Sequence, residues 1–225
     1  MDCTKKIAIL ADGNYPTAKY PLQLLAQADI VICCDASVTK LKGREPDYIV
    51  GDMDTLDAAL MKKYASIIHK SECQETNDLT KAFSFALSLV PQNCKGEIFI
   101  LGATGCREDH SLGNISLLAE YSKNTGKAIA PFNNKMGENI KAILVTDYGF
   151  FTPYNNSLEL KVAIGTQISI FAFDNSLQIK SKGLLYPTDN VVFDMWWKAT
   201  LNQTTQESFS LTFNHPSTIL IYQKF

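Results

Sequence analysis

The chain has little excess charge of either sign and no long apolar run. Its 225 residues carry 21 Lys and Arg against 23 Asp and Glu, so it lacks the basic field that drives binding to nucleic acids. No segment reaches the roughly 18 apolar residues of a membrane span. The apolar run at residues 7–10 is too short for a secretory signal. We therefore expect a cytoplasmic protein with neither a nucleic-acid nor a membrane partner.

Cysteine pairs at metal-binding spacing are missing as well. The six cysteines include no CxxC pair, which argues against a zinc site. Since no secretory signal is predicted, disulfides are not favoured either. The sequence therefore predicts free thiols at Cys3, Cys33, Cys34, Cys73, Cys94 and Cys106.

The common phosphate-binding fingerprints do not occur. Neither GxGxxG nor the Walker A pattern is present. Thr55 directly follows the pair Asp52 and Asp54, which is not the Asp-x-Asp-x-Thr spacing of phosphatases with an aspartate nucleophile. The metal-binding Asp-x-Asp of nucleotide-sugar glycosyltransferases fits chemically, although 225 residues is short for such an enzyme.

Strand-like and helix-like segments alternate in the first half of the chain. Short apolar runs predict strands at residues 7–10, 30–34, 48–50, 67–68, 97–101 and 142–146. Apolar residues at helical spacing predict helices at 21–28, 56–64, 79–90 and 112–121. This order indicates a parallel α/β sheet that is covered on both faces.

The pattern changes from about residue 149. Short runs with partial alternation predict strands at 158–162, 167–173, 177–179, 208–213 and 219–222, with turn residues between them. They indicate a small β-sandwich. The polar stretch 133–139 predicts an exposed loop. We therefore predict an α/β domain at 1–148 followed by a β-sandwich at 149–225.

Acidic residues recur immediately after the predicted strands of the first domain. In parallel α/β sheets, ligands bind beyond the carboxyl ends of the strands. A scattered set of acids would not fall at this edge repeatedly, so the edge is the predicted site. Its acids are Asp12, Asp35, Asp52, Asp54 and Asp109.

The pair Asp52 and Asp54 has two open interpretations. In an extended chain both carboxylates share one face, and they suit Mg²⁺, which binds carboxylate and phosphate oxygens. Alternatively, Asp54 or Thr55 caps the next helix, with Asp57 in its first turn. Taken alone, the motif favours the cap, and Asp57 is a capping residue in either case.

Residues 73–81 carry the next polar group. Thr76, Asn77 or Asp78 could cap a helix, and a helix N-terminus also attracts phosphate. Asp78 could add a third carboxylate to the cation site. Lys81, one turn into the helix, could reach a phosphate or remain a solvated surface lysine.

Residues 101–114 combine small residues with a cation. Small residues let a backbone approach a ligand closely, and the planar guanidinium of Arg107 matches phosphate. Asp109 and His110 begin the following helix, where they could instead be a cap and a hydrogen-bonded surface residue.

Taken together, these segments resemble the thiamine pyrophosphokinase family. The resemblance rests on ADGNYP, CCDAS, PDYIVGDMDTL, QETNDLTKA and LGATGCREDHSLGNISLL in this order, which cover most of the first 120 residues. Residues 199–202 line up with a Thr-Ser-Asn segment of the family, and FNHPSTILIY resembles its final strand.

The resemblance implies transfer of a diphosphate group from ATP to the hydroxyl of thiamine, giving thiamine diphosphate and AMP. It implies an ATP- and Mg²⁺-binding α/β domain and a thiamine-binding sandwich. It also implies a homodimer with thiamine bound between the two domain types of different chains. Trp196 or Trp197 could offer an aromatic face to the thiamine cation, although core packing is the favoured interpretation of both.

The resemblance also assigns residues to roles. Mg²⁺ and phosphate handling falls to Asp52, Asp54 and Asp78. Asp109 joins them as a catalytic acid, and either Asp78 or Asp109 accepts the proton of the alcohol. Further contacts to the substrates are assigned to Asp35, Gln74, Asn77, Lys81, Arg107, His110 and Asn202.

Two departures from the family pattern keep alternatives open. Leu201 stands where the family has a serine, and Asp35 is followed by Ala36 and Ser37 rather than two glycines. The first alternative is a diphosphokinase for another alcohol, such as a hydroxymethylpterin. The second is a nucleotide-sensing module without turnover.

Overall fold

The computed structural model describes residues 3–123 and 125–225, in two compact units, Met1–Asp147 and Tyr148–Phe225. The predicted domain boundary, after residue 148, lies one residue from the boundary between these two units. That the units are separate domains stays a prediction. Within the described ranges, no helix has both the length and the apolar character needed to cross a bilayer.

The first unit is a parallel α/β sheet, as predicted. Its strands are β1 (Thr4–Leu10), β2 (Ile30–Cys34), β3 (Tyr48–Gly51), β4 (Ile68–Lys70), β5 (Lys95–Leu101) and β8 (Ile140–Val145). They lie in the order β8-β5-β1-β2-β3-β4, and each neighbouring pair is parallel. The helices are α1 (Lys19–Gln27), α2 (Ala58–Lys63), α3 (Asp78–Ser88) and α4 (Glu108–Lys123).

Apart from the edge strand β4, the strands of this sheet are buried over most of their length because their apolar runs are almost continuous. In β1, residues 7–10 are fully buried, and Leu10 pairs in register with Leu101 of β5 and Cys33 of β2. This register brings the carboxyl ends of the central strands to one edge. The loops after β1, β2, β3 and β5 therefore meet where the site was predicted.

Helix α3 is enclosed rather than amphipathic. Every residue from 79 to 87 is buried. Asn77 caps its N-terminus by accepting the Thr80 amide at 2.9 Å, and the Thr80 hydroxyl bonds the hydroxyl of Tyr121 at 2.9 Å. Tyr121 also stacks on Phe83, with ring centroids 4.0 Å apart. This packing fixes the position of the first turn of α3.

Helix α2 begins where capping chemistry predicts. The Asp57 carboxylate accepts the Leu60 amide at 2.8 Å, so Asp57 is the cap of α2. The prediction that Asp57 is a capping residue is confirmed, and it leaves Asp54 outside the helix.

The second unit is a sandwich of two antiparallel sheets, which confirms the predicted class. One sheet has the order β13-β11-β15-β9, and the other has the order β10-β14-β12. Both sheets contribute to one apolar core, for example Ile170 and Phe209. The strands are β9 (Gly149–Tyr154), β10 (Leu158–Lys161), β11 (Gln167–Ala172), β12 (Ile179–Lys182), β13 (Ala199–Gln203), β14 (Ser208–Phe213) and β15 (Ile219–Lys224).

Two predictions about local structure were wrong. Cys3 and Cys94 form a disulfide, because β1 and β5 start side by side and the Lys95 amide donates to the Cys3 carbonyl at 2.8 Å. The four other cysteines are free, as predicted. Residues 133–139 are not simply a loop, because β7 (Asn134–Lys135) pairs with β6 (Ala128–Ile129) to form a two-stranded ribbon. The Asn134 side chain donates to the Ser84 carbonyl of α3 at 2.9 Å.

Candidate active site

Three carboxylates meet at the carboxyl edge of the first unit. Asp35, Asp52 and Asp54 each offer an oxygen, and these oxygens lie within 4.8 Å of one another. The sequence suggested an extended conformation for Asp52 and Asp54. This was wrong, because Met53 between them has a left-handed backbone with φ of 65°. The resulting turn lets the Asp54 amide donate to Asp52 Oδ1 at 3.3 Å. The acids converge through a tight turn and not through strand alternation.

Asp35 is the buried member of this group. It follows β2 at the start of a 3₁₀ helix, Asp35–Thr39, with φ of 39°, and it is only 4% exposed. Among the described residues, no group hydrogen-bonds either carboxylate oxygen with normal geometry. Burial raises the pKa of Asp35; the nearby Thr55 side chain opposes this rise, and the carboxylates of Asp78, Asp52 and Asp54 add to it.

A buried, unpartnered carboxylate beside two others is the donor set of a hard divalent cation. A lone buried charge is costly unless it is paired or coordinates a metal. Mg²⁺ binds oxygen ligands, and one or two carboxylates together with substrate phosphates are its usual set. Asp35, Asp52 and Asp54 therefore fit a magnesium ion, and strained backbone at Asp35 and Met53 is typical of functional sites.

Lys81 is buried at the same edge. It is 2% exposed, and its ammonium lies 2.9 Å from Asp78 Oδ1 and 3.2 Å from Asp52 Oδ2. Interpreting Lys81 as a solvated lysine was therefore wrong. Burial alone would lower the pKa of Lys81, but Asp78 and Asp52 raise it above its ordinary value.

Asp52 responds to the same contacts. Burial alone would raise its pKa, but the Asp54 amide and the Lys81 ammonium hold the pKa of Asp52 below its ordinary value. Both oxygens of Asp52 are thus engaged, one by the turn and one by Lys81. Its carboxylate is fixed and charged before any ligand arrives.

A cavity of about 540 Å³ opens beside these acids. This volume is within the usual range for small-molecule sites. Six residues that the sequence placed at the site line the cavity, namely Asp12, Asp35, Asn77, Asp78, Arg107 and His110. Thr55 from the Asp52 turn also lines it, which joins the cavity to the carboxylate group.

Lys40 also lines this cavity, although no motif in the sequence indicates it. Its ammonium contacts Asp12 Oδ1 at 2.6 Å and donates to the carbonyls of Asp12 and Gly13 at 2.7 and 3.1 Å. Lys40 directly follows the 3₁₀ helix that starts at Asp35. Only the tertiary approach of the β1 and β2 loops brings it to Asp12.

The loops after β1 and β5 pack backbone against backbone. The Gly13 amide donates to the Gly102 carbonyl at 2.6 Å, and the Asn14 amide donates to the Thr104 carbonyl at 2.9 Å. A Cβ at Gly13 would lie 2.5 Å from the carbonyl oxygens of both Gly102 and Thr104. This position therefore requires glycine, and its small size shapes one wall of the cavity.

Arg107 and Asp109 engage each other at the start of α4. Arg107 Nε donates to Asp109 Oδ1 at 3.1 Å, and its NH2 group donates to Oδ2 at 2.6 Å. Arg107 lowers the pKa of Asp109 to about 2. Asp109 is therefore a poor proton acceptor at neutral pH, whereas the fork of Arg107 remains exposed at the cavity mouth.

Two other predicted contacts have local partners. The Gln74 side chain is exposed and donates to the Glu72 carbonyl at 3.5 Å. In the second unit, Asn202 is buried. Its side-chain oxygen accepts a hydrogen bond from the Tyr186 backbone amide at 3.0 Å, and its side-chain nitrogen donates one to the Tyr186 carbonyl at 2.7 Å. The structure therefore gives Asn202 a role in holding the Tyr186 loop, and its substrate contact stays a prediction.

The two tryptophans are surface residues of the second unit. Trp196 is 41% exposed and Trp197 is 68% exposed, so the interpretation of both as core residues was wrong. Trp196 packs edge-on against Phe171 and Phe173. Leu201 is also exposed and left-handed, with φ of 58°.

Comparison with known proteins gives two family matches in order along the chain. Residues 21–130 match the model described as "Thiamin pyrophosphokinase, catalytic domain", and residues 149–222 match "Thiamin pyrophosphokinase, substrate-binding domain". Among curated relatives, thiamine pyrophosphokinase 1 of Oryza sativa subsp. japonica is 38% identical over 84 residues, which is 35% of this chain and 32% of the relative. Thiamine pyrophosphokinase 2 of the same plant is 31% identical over 145 residues, 49% of this chain and 54% of the relative.

Solved structures share the fold along the whole chain. The thiamine pyrophosphokinase of Bacillus subtilis has a TM-score of 0.72 at 21% identity, with 98% of both chains covered. The thiamin pyrophosphokinase of Candida albicans also has a TM-score of 0.72, at 15% identity, with 100% of this chain and 93% of that chain covered.

The curated relatives are matched over only part of their length. The chain spans about a third of the first rice relative and about half of the second. The family matches, however, cover the α/β unit and the sandwich in turn and together account for most of the chain. The chain belongs to the thiamine pyrophosphokinase family.

Proposed function

We propose that this protein transfers a diphosphate group from ATP to the hydroxyl of thiamine, with thiamine diphosphate and AMP as products. The observation that carries the proposal is the buried, unpartnered carboxylate of Asp35, grouped with Asp52 and Asp54 beside a cavity of nucleotide-compatible size. The two family matches, one catalytic and one substrate-binding, support the same reaction.

The chain's residues divide the work of such a transfer. Asp35, Asp52 and Asp54 would hold Mg²⁺, which when bound neutralises triphosphate charge. Arg107 lies at the mouth of the cavity with a guanidinium suited to phosphate oxygens. Phosphoryl-type transfer depends mostly on positioning and charge stabilisation, so a fixed array of this kind is sufficient chemistry.

In the proposed step, the thiamine hydroxyl oxygen bonds to the β-phosphorus as the bond from that phosphorus to the α-phosphate oxygen breaks. AMP leaves with the electron pair of that bond, and the hydroxyl proton passes to a carboxylate. Asp78 suits this role better than Asp109. It lines the cavity with a partly exposed side chain, whereas both carboxylate oxygens of Asp109 accept hydrogen bonds from Arg107, which lowers the pKa of Asp109 to about 2.

The acceptor side of the proposal rests on the second unit. Its surface exposes large apolar side chains, and three of them, Leu185, Tyr186 and Leu201, line one cavity. Others in the same unit include Val192, Met195, Trp196 and Trp197. Clustered apolar exposure marks interaction surfaces, and aromatic faces attract organic cations. We propose that this surface serves thiamine binding in a homodimer, and that the protein works in the cytoplasm.

The test is acceptor-dependent release of AMP. The purified protein is incubated with ATP and Mg²⁺, either alone, with thiamine, or with a hydroxymethylpterin. AMP that appears only with thiamine supports the proposal, whereas AMP that appears only with the pterin contradicts it. Tight ATP binding without AMP in any mixture would instead favour a nucleotide sensor.

Two matched variants test whether turnover depends on the carboxylate group. Asp54→Asn should abolish AMP release while circular dichroism and the unfolding midpoint stay near those of the wild type, because Asp54 is exposed and does not cap α2. Asp57→Asn is the control, since it replaces one good helix cap with another. Near-normal turnover in Asp54→Asn would remove Asp54 from the mechanism.

A further inference from the structure

Asp147 lies just after the end of β8 and binds the start of helix α1. Its carboxylate accepts hydrogen bonds from the backbone amides of Thr17 and Ala18, at 2.9 and 3.0 Å, and from the Thr17 hydroxyl. Both carboxylate oxygens take part. Burial alone would raise the pKa of Asp147, but the donors of Thr17 and Ala18 hold it below its ordinary value. The carboxylate is therefore charged at neutral pH.

Helix α1 depends on this carboxylate because its own residues offer no cap. The N-cap position is Ala18, whose side chain has no hydrogen-bond acceptor, and the first turn contains no acidic residue. Amides at a helix N-terminus need acceptors, and a negative charge there is stabilising. Asp147 supplies both from a distant part of the chain. Its contacts therefore fix where α1 begins and where the segment before α1 ends.

The segment before α1, the β1 loop (residues 11–18), crosses the carboxyl end of β5. In the sheet, β5 lies between β8 and β1, so the β1 loop passes over the end of β5 to reach Asp147. On the way, the amides of Gly13 and Asn14 donate to carbonyls of the β5 loop (residues 102–107). The β1 loop is thus held on the β5 loop in its first half and by Asp147 at its far end.

These two loops form one wall of the cavity of about 540 Å³. The β1 loop contributes Asp12 and Gly13, and the β5 loop contributes Gly105 and Arg107. Asp147 does not line the cavity itself. Its effect on a bound molecule is therefore indirect, through the shape of the wall.

We infer that Asp147 is a positioning residue for the nucleotide: by holding the far end of the β1 loop, it keeps the cavity wall in the shape that binds ATP. The inference rests on the proposed function in taking this cavity as the ATP site. None of the sequence motifs that carry the family resemblance contains Asp147.

The physical reason is the conformational freedom of the β1 loop. A loop held at both ends is ordered before ATP arrives, whereas a loop released at one end samples other conformations. ATP binds only the fraction of molecules with the correct wall, so its apparent affinity falls in proportion to that fraction. If one molecule in about ten keeps the ordered loop, the Kd for ATP rises about tenfold. Turnover at saturating ATP changes little, because bound ATP restores the wall.

The test measures ATP binding by calorimetry, with Mg²⁺ and without thiamine. Asp147→Ala removes every contact of this carboxylate with the β1 loop, and we expect the Kd for ATP to rise about tenfold. In steady-state assays, the KM for ATP should rise by a similar factor, while kcat and the KM for thiamine stay within about twofold of the wild type.

Asp174→Ala is the matched control. Asp174 also accepts an amide and a hydroxyl, at 2.9 and 2.6 Å, both from Ser176, but it lies in the second unit and does not line this cavity. The control should lower the unfolding midpoint without changing the Kd for ATP. It therefore separates a general loss of stability from a loss of loop positioning.

Three outcomes overturn the inference. A lower unfolding midpoint in Asp147→Ala with an unchanged Kd for ATP would make Asp147 a helix cap only. A fall in kcat with an unchanged KM for ATP would place its effect on the chemical step. A wild type that does not bind ATP would remove the nucleotide cavity itself. A wild type that binds ATP but releases no AMP would contradict the proposed function alone, since the calorimetric comparison does not need turnover.

A milder variant applies if Asp147→Ala does not fold. Thr17→Val removes only the hydroxyl donor, at an exposed position and with nearly constant volume. We expect the Kd for ATP to rise about two- to threefold. Hydrogen exchange at the amides of residues 11–18 should be faster in this variant but not in Asp174→Ala. Unchanged affinity would overturn the inference even with faster exchange, because the β1 loop would then be released at no cost to ATP binding.

Discussion

Replacing Asp35 with asparagine should stabilise the protein while removing its activity. The substitution keeps shape and volume, and asparagine accepts a left-handed backbone as readily as aspartate does. It removes a charge that is 4% exposed and has no hydrogen-bond partner of normal geometry among the described residues. We therefore expect this charge to serve binding rather than folding.

The magnitude follows from the environment of the carboxylate. An unsatisfied buried polar group costs about 1–3 kcal/mol, and a charged one costs more. The asparagine amide is also left unpartnered, so a net gain of about 1–2 kcal/mol in the free energy of unfolding is expected. For a chain of this size that corresponds to a rise of about 2–8 °C in the unfolding midpoint.

The pH dependence of this gain has a definite sign. The pKa of Asp35 is raised in the folded state, first by burial and further by neighbouring carboxylates. The folded wild type therefore holds its proton to higher pH than the unfolded chain, and it loses stability as pH rises through the folded pKa. The advantage of Asp35→Asn should grow as pH rises through the folded-state pKa of Asp35 and vanish below the ordinary pKa of aspartate, about 3.9.

The assay is thermal unfolding in EDTA, followed by circular dichroism at pH 7 and at mildly acidic pH. Asp54→Asn is the matched control, because Asp54 is exposed and its charge carries no burial cost. Added Mn²⁺ should raise the midpoint of the wild type but not that of Asp35→Asn. A lower midpoint for Asp35→Asn in EDTA would refute the reasoning, since it would mean that the charge has stabilising partners.

Three further predictions concern the frame around the site. Gly13→Ala should weaken ATP binding by about tenfold or more in calorimetry, because its Cβ would lie 2.5 Å from the Gly102 carbonyl oxygen; unchanged affinity would show that the loops are not rigid. Burial lowers the pKa of His69 below 6.5. The free energy of unfolding, measured with urea, should therefore fall as pH drops below about 6.5. This fall should be smaller in His69→Phe. Asn202→Ala should lower stability by about 1–3 kcal/mol, because it removes two hydrogen bonds to the backbone of Tyr186; an effect on the KM for thiamine alone would argue for substrate contact instead.

The spacing of apolar residues, together with the rule that ligands bind at the carboxyl ends of parallel strands, predicted most of the secondary structure around the site. The strand at 30–34 coincides with β2, and that at 208–213 coincides with β14. Asp12, Asp35, Asp52 and Asp54 do lie at the carboxyl edge of the sheet, because the ends of parallel strands are set by where the apolar runs stop. These features depend on local sequence, and for that reason they could be predicted from the sequence alone.

Features that depend on tertiary packing could not be predicted from the sequence. Lys81 sits in a helix whose local pattern does not distinguish an enclosed helix from a surface one, and its burial comes from packing on several sides of α3. The Cys3–Cys94 disulfide joins residues 91 positions apart. Lys40 reaches Asp12 across two loops.

Two strands of the sandwich were missed for local reasons. Strand β9 starts at Gly149 and contains Pro153, and both residues are depleted in strands. Strand β13 contains Leu201 in a left-handed conformation, and its register with β11 is interrupted there. Both strands form because sheet partners are supplied by distant segments, β15 for β9 and β11 for β13.

The most direct measurement of the central claim follows the fate of each phosphate of ATP. The protein is incubated with Mg²⁺, thiamine and ATP labelled with ³²P at either the α or the γ position, and the products are separated by chromatography. Diphosphate transfer predicts the γ label in thiamine diphosphate and the α label in AMP, in equal amounts, and neither product with Asp54→Asn. Label released as inorganic phosphate, or ADP in place of AMP, would contradict the account.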